Sequence, residues 1–379
     1  MFISGIGRTK FGISNKTLPE LLYEAIYAAV KDSSLSINSI DLIIVANFLA
    51  GNTQNQLHLG SVISSLLPGI NRTSFRVESA CASGGMAIYL AQQLVDRYSN
   101  ILVVGGEKLN SDININLIKN IALAGDLLRD QSQGLIFPAQ YSFIASQYQK
   151  RYDLKHDDLA LISLKNYANA NLNPLAHFYY KNITLDLINS SPWICSHLKL
   201  YDCCAISDGA SAVVISRDRV TNRDIELIGS GANTDAISLS QRQDFTSFIS
   251  TKIASKDAYD MAKVTPKEID IAEVHDCFTI AELVAMEDLG FCKKGTAANH
   301  IRDEETMLSG ILPINTDGGL LGDGHPVGAT GIAQICELVT QLRGEAGKRQ
   351  IRNAKTGLSH NVGGAGGTAV VHILRGSGC

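Results

Sequence analysis

Val77-Glu78-Ser79-Ala80-Cys81-Ala82-Ser83-Gly84-Gly85-Met86-Ala87 places one cysteine at the mouth of a helix start built from small residues. Beyond it Met86, Ile88, Tyr89, Leu90, Leu94 and Val95 recur closely enough for a largely buried helix, and Ile101-Leu102-Val103-Val104-Gly105-Gly106 reads as a buried strand. A cysteine at that helix's N-terminus faces unpaired N–H groups and the positive end of the macrodipole, which favours thiolate. The same residue also fits the role of a small apolar core thiol, so its meaning depends on the rest of the chain.

Working outward, helix and strand alternate. A helical pattern from Leu18 to Val30 follows the Pro19 signal, and Asp41 to Ala46 is a buried strand. The class is therefore α/β, with sheets covered on both faces. Between Asn110 and about Asp202 the pattern changes to helical pieces, Tyr141 to Tyr152 and Asp157 to Asn171, which reads as an inserted lobe at about 110–205. The β signal returns at Gly209 to Ser216, a further strand begins at Ile225, and the boundary between halves falls near residue 220, giving 1–220 and 221–379.

The second half runs through a helix at Ser255 to Lys263, a strand at Ile269 to Val274, a helix near Ile280 to Leu289, and strands at Thr356 to His360 and Thr368 to Leu374. It echoes the first. Ala82-Ser83-Gly84 matches Ala329-Thr330-Gly331, and Gly209-Ala210-Ser211-Ala212-Val213-Val214 matches Gly366-Gly367-Thr368-Ala369-Val370-Val371, in the same order, which points to an internal duplication.

Composition narrows the class of function. The 379 residues are 45% hydrophobic and carry a formal net charge of −4 with no long basic run, which argues against nucleic acid or an anionic membrane as the main partner. No apolar run reaches membrane-spanning length and the opening is too interrupted for a signal peptide, so a cytoplasmic protein is the expectation. The eight cysteines show neither a dense disulfide framework nor paired CxxC zinc spacing, so reduced thiols and no metal are expected.

Three further segments carry chemistry. In Glu273-Val274-His275-Asp276-Cys277-Phe278-Thr279 an extended chain would project His275 and Cys277 to one face; a core cysteine beside a backbone-bonded histidine is the alternative. Asn315 to Gly331 is glycine-rich around His325-Pro326 but lacks the GxxxxGK[ST] and GxGxxG phosphate loops, which leaves a positioned histidine. Ser359-His360-Asn361-Val362-Gly363-Gly364-Ala365-Gly366-Gly367 follows a strand and either presents N–H groups to an oxyanion or simply turns.

Taken in order, Ser79-Ala80-Cys81-Ala82-Ser83-Gly84, His275-Asp276-Cys277-Phe278, Gly324-His325-Pro326-Val327-Gly328-Ala329-Thr330-Gly331 and His360-Asn361-Val362-Gly363-Gly364 resemble the thiolase superfamily, in particular its sterol-carrier-protein-2-type branch with the archaeal acetoacetyl-CoA thiolases. The resemblance implies a duplicated fold of five layers, αβαβα, with the lobe over the active site. It implies Cys81 as the acyl-accepting nucleophile, His325 as its base, Cys277 as the second acid/base with His360 as the alternative, His275 on the thioester oxygen, and an oxyanion hole from the N–H groups of Cys81 and Gly363. It further implies CoA and acyl-CoA as substrates with no cofactor, a homodimer or dimer of dimers, and a small zinc-ribbon/OB-fold partner. The activity expected is acyl-CoA C-acetyl transfer, by thiolysis or Claisen condensation; transfer to another acceptor and an idle scaffold are the alternatives.

Overall fold

The computed structural model describes residues 1–69, 72–110 and 114–376, so the terminal Cys379 and the first residues of the lobe lie outside the description. Its strands are β1 (Phe2–Arg8), β2 (Leu42–Ala46), β3 (Thr73–Val77), β4 (Asn100–Glu107), β5 (Trp193–Cys195), β6 (Leu198–Lys199), β7 (Gly209–Ser216), β8 (Ile225–Thr234), β9 (Ile271–Glu273), β10 (Thr356–Gly363) and β11 (Thr368–Arg375). Nine of them form a sheet in the order β3-β2-β4-β7-β1-β8-β11-β10-β9, while β5 and β6 pair separately.

The order reveals the duplication. In the first half β2 lies parallel to β4, and β4–β7 and β7–β1 are antiparallel. In the second half β9 lies parallel to β10, and β10–β11 and β11–β8 are antiparallel. The counterpart of β3 is reduced to one parallel bridge between Ala272 and Ile314. The two half-sheets meet where Phe2 and Ile3 pair with Glu226 and Ile225. The sequence left this seam unread, because β1 is interrupted by glycines.

Those glycines have a packing reason. A Cβ on Gly5 or Gly7 would lie 2.2 Å from Ala29 O or 2.3 Å from Ala25 O, so the helix Leu18–Asp32 can sit on β1 only if both positions are bare. Gly229 and Gly231 of β8 stand in the same relation to Ala258 O and Ala254 O of the helix Ile249–Ala262, at 2.4 and 2.1 Å. These two helices form the outer layers of their halves.

Between the half-sheets run the helices Ser83–Leu94 and Thr330–Leu342, each touching strands of both halves, which completes the five layers expected from the resemblance. Where the two helices cross, a Cβ on Gly331 would lie 2.3 Å from Gly85 N, and one on Gly84 would lie 3.0 Å from Gly331 N. Ile88, Ile332, Ile335 and Leu338 fill this middle layer with the strand residues Leu42, Ile44, Val103 and Val213. The crossing brings the N-terminal end of each helix, and the loop before it, to one place.

The inserted lobe is helical as expected, with helices Asn114–Ala122, Phe137–Tyr152, His156–Ala170 and Leu185–Ser190. Tyr141 ties it to the second half by stacking on Phe278, with ring centroids 4.6 Å apart. No helix among the described residues is long and apolar enough to cross a membrane.

Candidate active site

The sharpest local feature is at Ala80, whose φ of +50° puts a residue with a side chain in the left-handed region immediately before Cys81. The turn is held from several sides. Ala80 N–H donates to Glu78 Oε1 at 2.6 Å, Ser79 N–H donates to Ser83 Oγ at 2.8 Å, and Ser83 Oγ donates to Ala80 O at 2.6 Å. Cys81 Sγ and a ring nitrogen of each of His275 and His325 then lie within 4.8 Å of one another. Three residues scattered over the sequence thus share one point.

Hydrogen bonds around the two imidazoles set their tautomers apart. Thr330 Oγ1 donates to Pro326 O at 3.2 Å, so its lone pair is what meets His325 Nδ1 at 2.7 Å, and Nδ1 carries the proton. His325 Nε2, buried and without a partner, is therefore left with a free lone pair. The arrangement at His275 is reversed. Asn361 Oδ1 accepts Gly85 N–H at 3.0 Å, which orients the amide so that its Nδ2 donates to His275 Nδ1 at 3.3 Å. His275 Nε2 then carries the proton, and it too has no partner. One ring is thus ready to accept a proton and the other to donate a hydrogen bond.

The electrostatics revise one expectation from the sequence. Burial pushes the Cys81 thiol up to about 12, with Glu107 and Glu78 adding to the rise, and the N–H groups of Gly364 and Cys81 pull it partway back. That rise corresponds to about 4 kcal/mol against thiolate, whereas a helix end supplies ~0.3–1 kcal/mol. The helix start alone does not ionise Cys81. Burial also lowers His325 to about 3, so the resting pair is thiol and neutral imidazole. The Cys81 proton must therefore move as the substrate carbonyl is attacked.

Cys277 lines the same cavity as Cys81, His325 and Gly364, though not by strand alternation. The strand β9 ends at Glu273, and what holds the following loop is Asp276. Its carboxyl takes the N–H of Leu320 at 2.6 Å, of Leu321 at 3.3 Å and of Asn166 Nδ2 at 2.7 Å. This ties the loop of Cys277 to the loop of His325. Cys277 O also accepts Cys204 N–H at 3.0 Å, which anchors it to the chain returning from the lobe. Burial drives the Cys277 thiol well above its ordinary range, so it starts as a proton donor.

Two assignments shift. Gly364, at φ +62°, is the residue whose N–H faces the Cys81 sulfur, while Gly363 provides close approach, since a Cβ there would sit 2.5 Å from Ser79 O. His360 does not reach the cavity. Along β10 it alternates with Asn361, which faces the middle layer, so its own ring points to the outer helix and its Nε2 meets Thr251 Oγ1 at 2.9 Å. The sequence reading missed Tyr141, whose hydroxyl donates to Gly364 O at 3.0 Å and touches Cys277. A tyrosine within a lobe helix carries no motif.

A strained turn before one thiol, two imidazoles with opposite hydrogen-bonding and a second thiol converge where the two duplicated halves meet. The thiolase N-terminal domain matches residues 1–219 and the thiolase C-terminal domain-like family matches residues 231–376. The chain belongs to the thiolase family, in its sterol-carrier-protein-2-type branch. It is 38% identical to an acetyl-CoA acetyltransferase of Methanothermobacter thermautotrophicus over 378 residues, covering 98% of each chain. Human sterol carrier protein 2 is 31% identical over 402 residues, covering 99% of this chain and 72% of that one. Among solved structures, the Ltp2-ChsH2(DUF35) aldolase superposes with a TM-score of 0.85 at 24% identity, covering 99% of this chain and 97% of that one. Human mitochondrial 3-ketoacyl-CoA thiolase in complex with CoA superposes at 0.71 and 19% identity, covering 100% and 98%.

Proposed function

We propose that this protein is a thiolase-type acyl-CoA C-acetyltransferase, which cleaves a 3-ketoacyl-CoA with CoA or runs the reverse condensation through a thioester on Cys81. The observation that carries the reading is the convergence of Cys81, His275 and His325 within 4.8 Å, beside Cys277 on one cavity wall. His325 Nε2 takes the Cys81 proton as the sulfur attacks the C3 carbonyl, and the N–H groups of Cys81 and Gly364 receive the developing oxyanion. The C2–C3 bond then breaks. Its electron pair becomes the enolate of acetyl-CoA, whose thioester oxygen is held by His275 Nε2–H, and Cys277 delivers a proton to C2. The thiol of incoming CoA gives its proton to the Cys277 thiolate, attacks the Cys81 thioester, and restores the free enzyme as the proton on His325 returns to Cys81.

Two neutral thiols and a neutral imidazole suit this sequence, because each proton moves only when a carbonyl is in place to take the charge. The test is loss of the enolate absorbance of acetoacetyl-CoA on adding CoA, for the wild type beside Cys81→Ala. Cleavage that disappears in the variant is the expected result; equal cleavage by both would remove Cys81 from the mechanism. The proposal extends to a homodimer or dimer of dimers, and to a small partner protein of the kind paired with the aldolase neighbour. Light scattering and co-purification check these in turn.

A further inference from the structure

Cys81 Sγ and a ring nitrogen of each of His275 and His325 lie within 4.8 Å of one another, and in both rings the nitrogen left without a partner is Nε2. Both histidines are more than nine-tenths buried, and their rings stand nearly at right angles, 84°, with centroids 5.3 Å apart. Two buried imidazole nitrogens and a thiol aimed at one point are what a thiophilic dication takes. We propose that Cys81, His275 and His325 form a site for a divalent cation of the zinc class, whose binding blocks the nucleophile, and that Asn361 keeps the affinity low. The proposal goes beyond acyl transfer and stands on the geometry alone.

The distances fit after a small closure. Zinc holds sulfur at about 2.3 Å and nitrogen at about 2.0–2.1 Å in a tetrahedron, so its ligand atoms stand about 3.3–3.6 Å apart. The three atoms here would draw in by at most about 1.5 Å, leaving the fourth position open to the cavity that Cys81 and His325 line. Burial and the nearby carboxyls of Glu107 and Glu78 oppose a bare thiolate at Cys81, and the same carboxyls attract a dication in contact with its sulfur. On binding, Cys81 releases its proton to solvent as the sulfur–metal bond forms, and His325 ligates through the lone pair it already presents. His275 must first move its proton from Nε2 to Nδ1, where it faces Asn361 Nδ2 at 3.3 Å, donor against donor. Asn361 cannot offer its oxygen instead without giving up Gly85 N–H, held at 3.0 Å. A metal-ligating histidine ordinarily gives its second N–H to an acceptor, which is worth about 10–100-fold in affinity. Paired CxxC spacing is no guide to such a site, because its ligands come from three separate segments.

The experiment titrates the full-length protein with Co²⁺ as the optical probe and Zn²⁺ as its competitor. The wild type should show a thiolate-to-cobalt charge-transfer band that Zn²⁺ abolishes, and Zn²⁺ should protect Cys81 from iodoacetamide until EDTA is added. Cys81→Ser should lack the band, and His275→Ala should weaken binding. Asn361→Asp, which can accept Gly85 N–H with one oxygen and His275 Nδ1–H with the other, should tighten it by about 10–100-fold. Asn361→Ala, which deletes the opposing donor, should tighten it by less. No band in the wild type, a band that survives Cys81→Ser, or alkylation of Cys81 that saturating Zn²⁺ leaves unchanged overturns the site. Equal or weaker binding in both Asn361 variants overturns the role of Asn361. These readouts need no turnover, so failure to cleave acetoacetyl-CoA would sink the thiolase reading and leave this test intact.

Discussion

Tyr141→Phe removes one oxygen atom and tests the oxyanion site without touching the nucleophile. The ring keeps its stacking on Phe278, so the change removes only the hydroxyl, which donates to Gly364 O at 3.0 Å and touches Cys277. Two limits bracket the effect. If Gly364 swings away from Cys81, one oxyanion donor is lost, which typically costs ~2.7–4 kcal/mol or 10²–10³ in kcat. If nothing moves, what is left is a part-buried carbonyl without its donor and a Cys277 thiol without its neighbour, at most about 1–3 kcal/mol of stability. The turn has other anchors. Arg242 donates to Ala365 O, Ser250 Oγ to Gly366 O at 2.8 Å, and Gly367 N–H to Gly363 O at 3.0 Å. These oppose a large swing, so a fall in kcat of about tenfold is expected, nearer the lower limit. Because the Gly364 N–H also favours the thiolate, the pH profile for alkylation of Cys81 should shift upward in the variant. A kcat within twofold of wild type together with an unchanged alkylation profile would refute the positioning role given to the Tyr141 hydroxyl.

Cys277→Ala should still accept an acetyl group on Cys81 from acetyl-CoA, where no carbon–carbon bond breaks, visible by intact mass, while cleavage of a 3-ketoacyl-CoA falls by about 10²–10⁴, the usual contribution of an acid/base group; normal turnover would return the role to an unassigned group. His360→Gln keeps a donor to Thr251 and should retain kcat within about threefold, since the ring faces the outer helix; loss of turnover would mean that β10 presents this residue differently. His372, held near 4 by burial between Ser230 Oγ and Gly85 O, tests linkage. Above pH 6.5 both native and unfolded forms are neutral; as pH falls toward 4 the unfolded chain takes up a proton that the native ring refuses, at about 1.4 kcal/mol per pH unit. His372→Gln escapes that loss, so its stability deficit against wild type, measured by urea unfolding, should narrow by about 2 kcal/mol between pH 7 and pH 5. Parallel curves would show that the ring already titrates in the native state.

How much of this was legible in the sequence depended on whether a signal was local. The helix Leu18–Asp32 was readable because Pro19 sits in its first turn and the buried positions follow the helical period. The strand β3 was missed: it is short, at the sheet edge, and alternates Thr, Ser, Phe and Arg with little apolar content. The nucleophile, the base and the second thiol lie in recognisable motifs, whereas Tyr141 and the exact glycine facing the sulfur depend on how the lobe folds back, which no local pattern records. The thiolate expectation failed for a similar reason. Helix position can be read from residues, but the burial that outweighs it is a property of the assembled layers.

The duplication explains why the site can be built from so few motifs. Each half contributes one central helix whose N-terminal end meets the other across Gly84, Gly85 and Gly331, and each supplies its reactive residue from the loop just before that helix, Cys81 in one and His325 in the other. Asn361 links the halves by taking Gly85 N–H and giving its own N–H to His275. A side chain at Gly331 would strike Gly85 N and Asn361 Oδ1, both at 2.3 Å, so it would disturb the helix crossing and the His275 tautomer together. The packing constraint and the catalytic constraint fall on the same atoms, which ties the chemistry of this site to the way its two halves close.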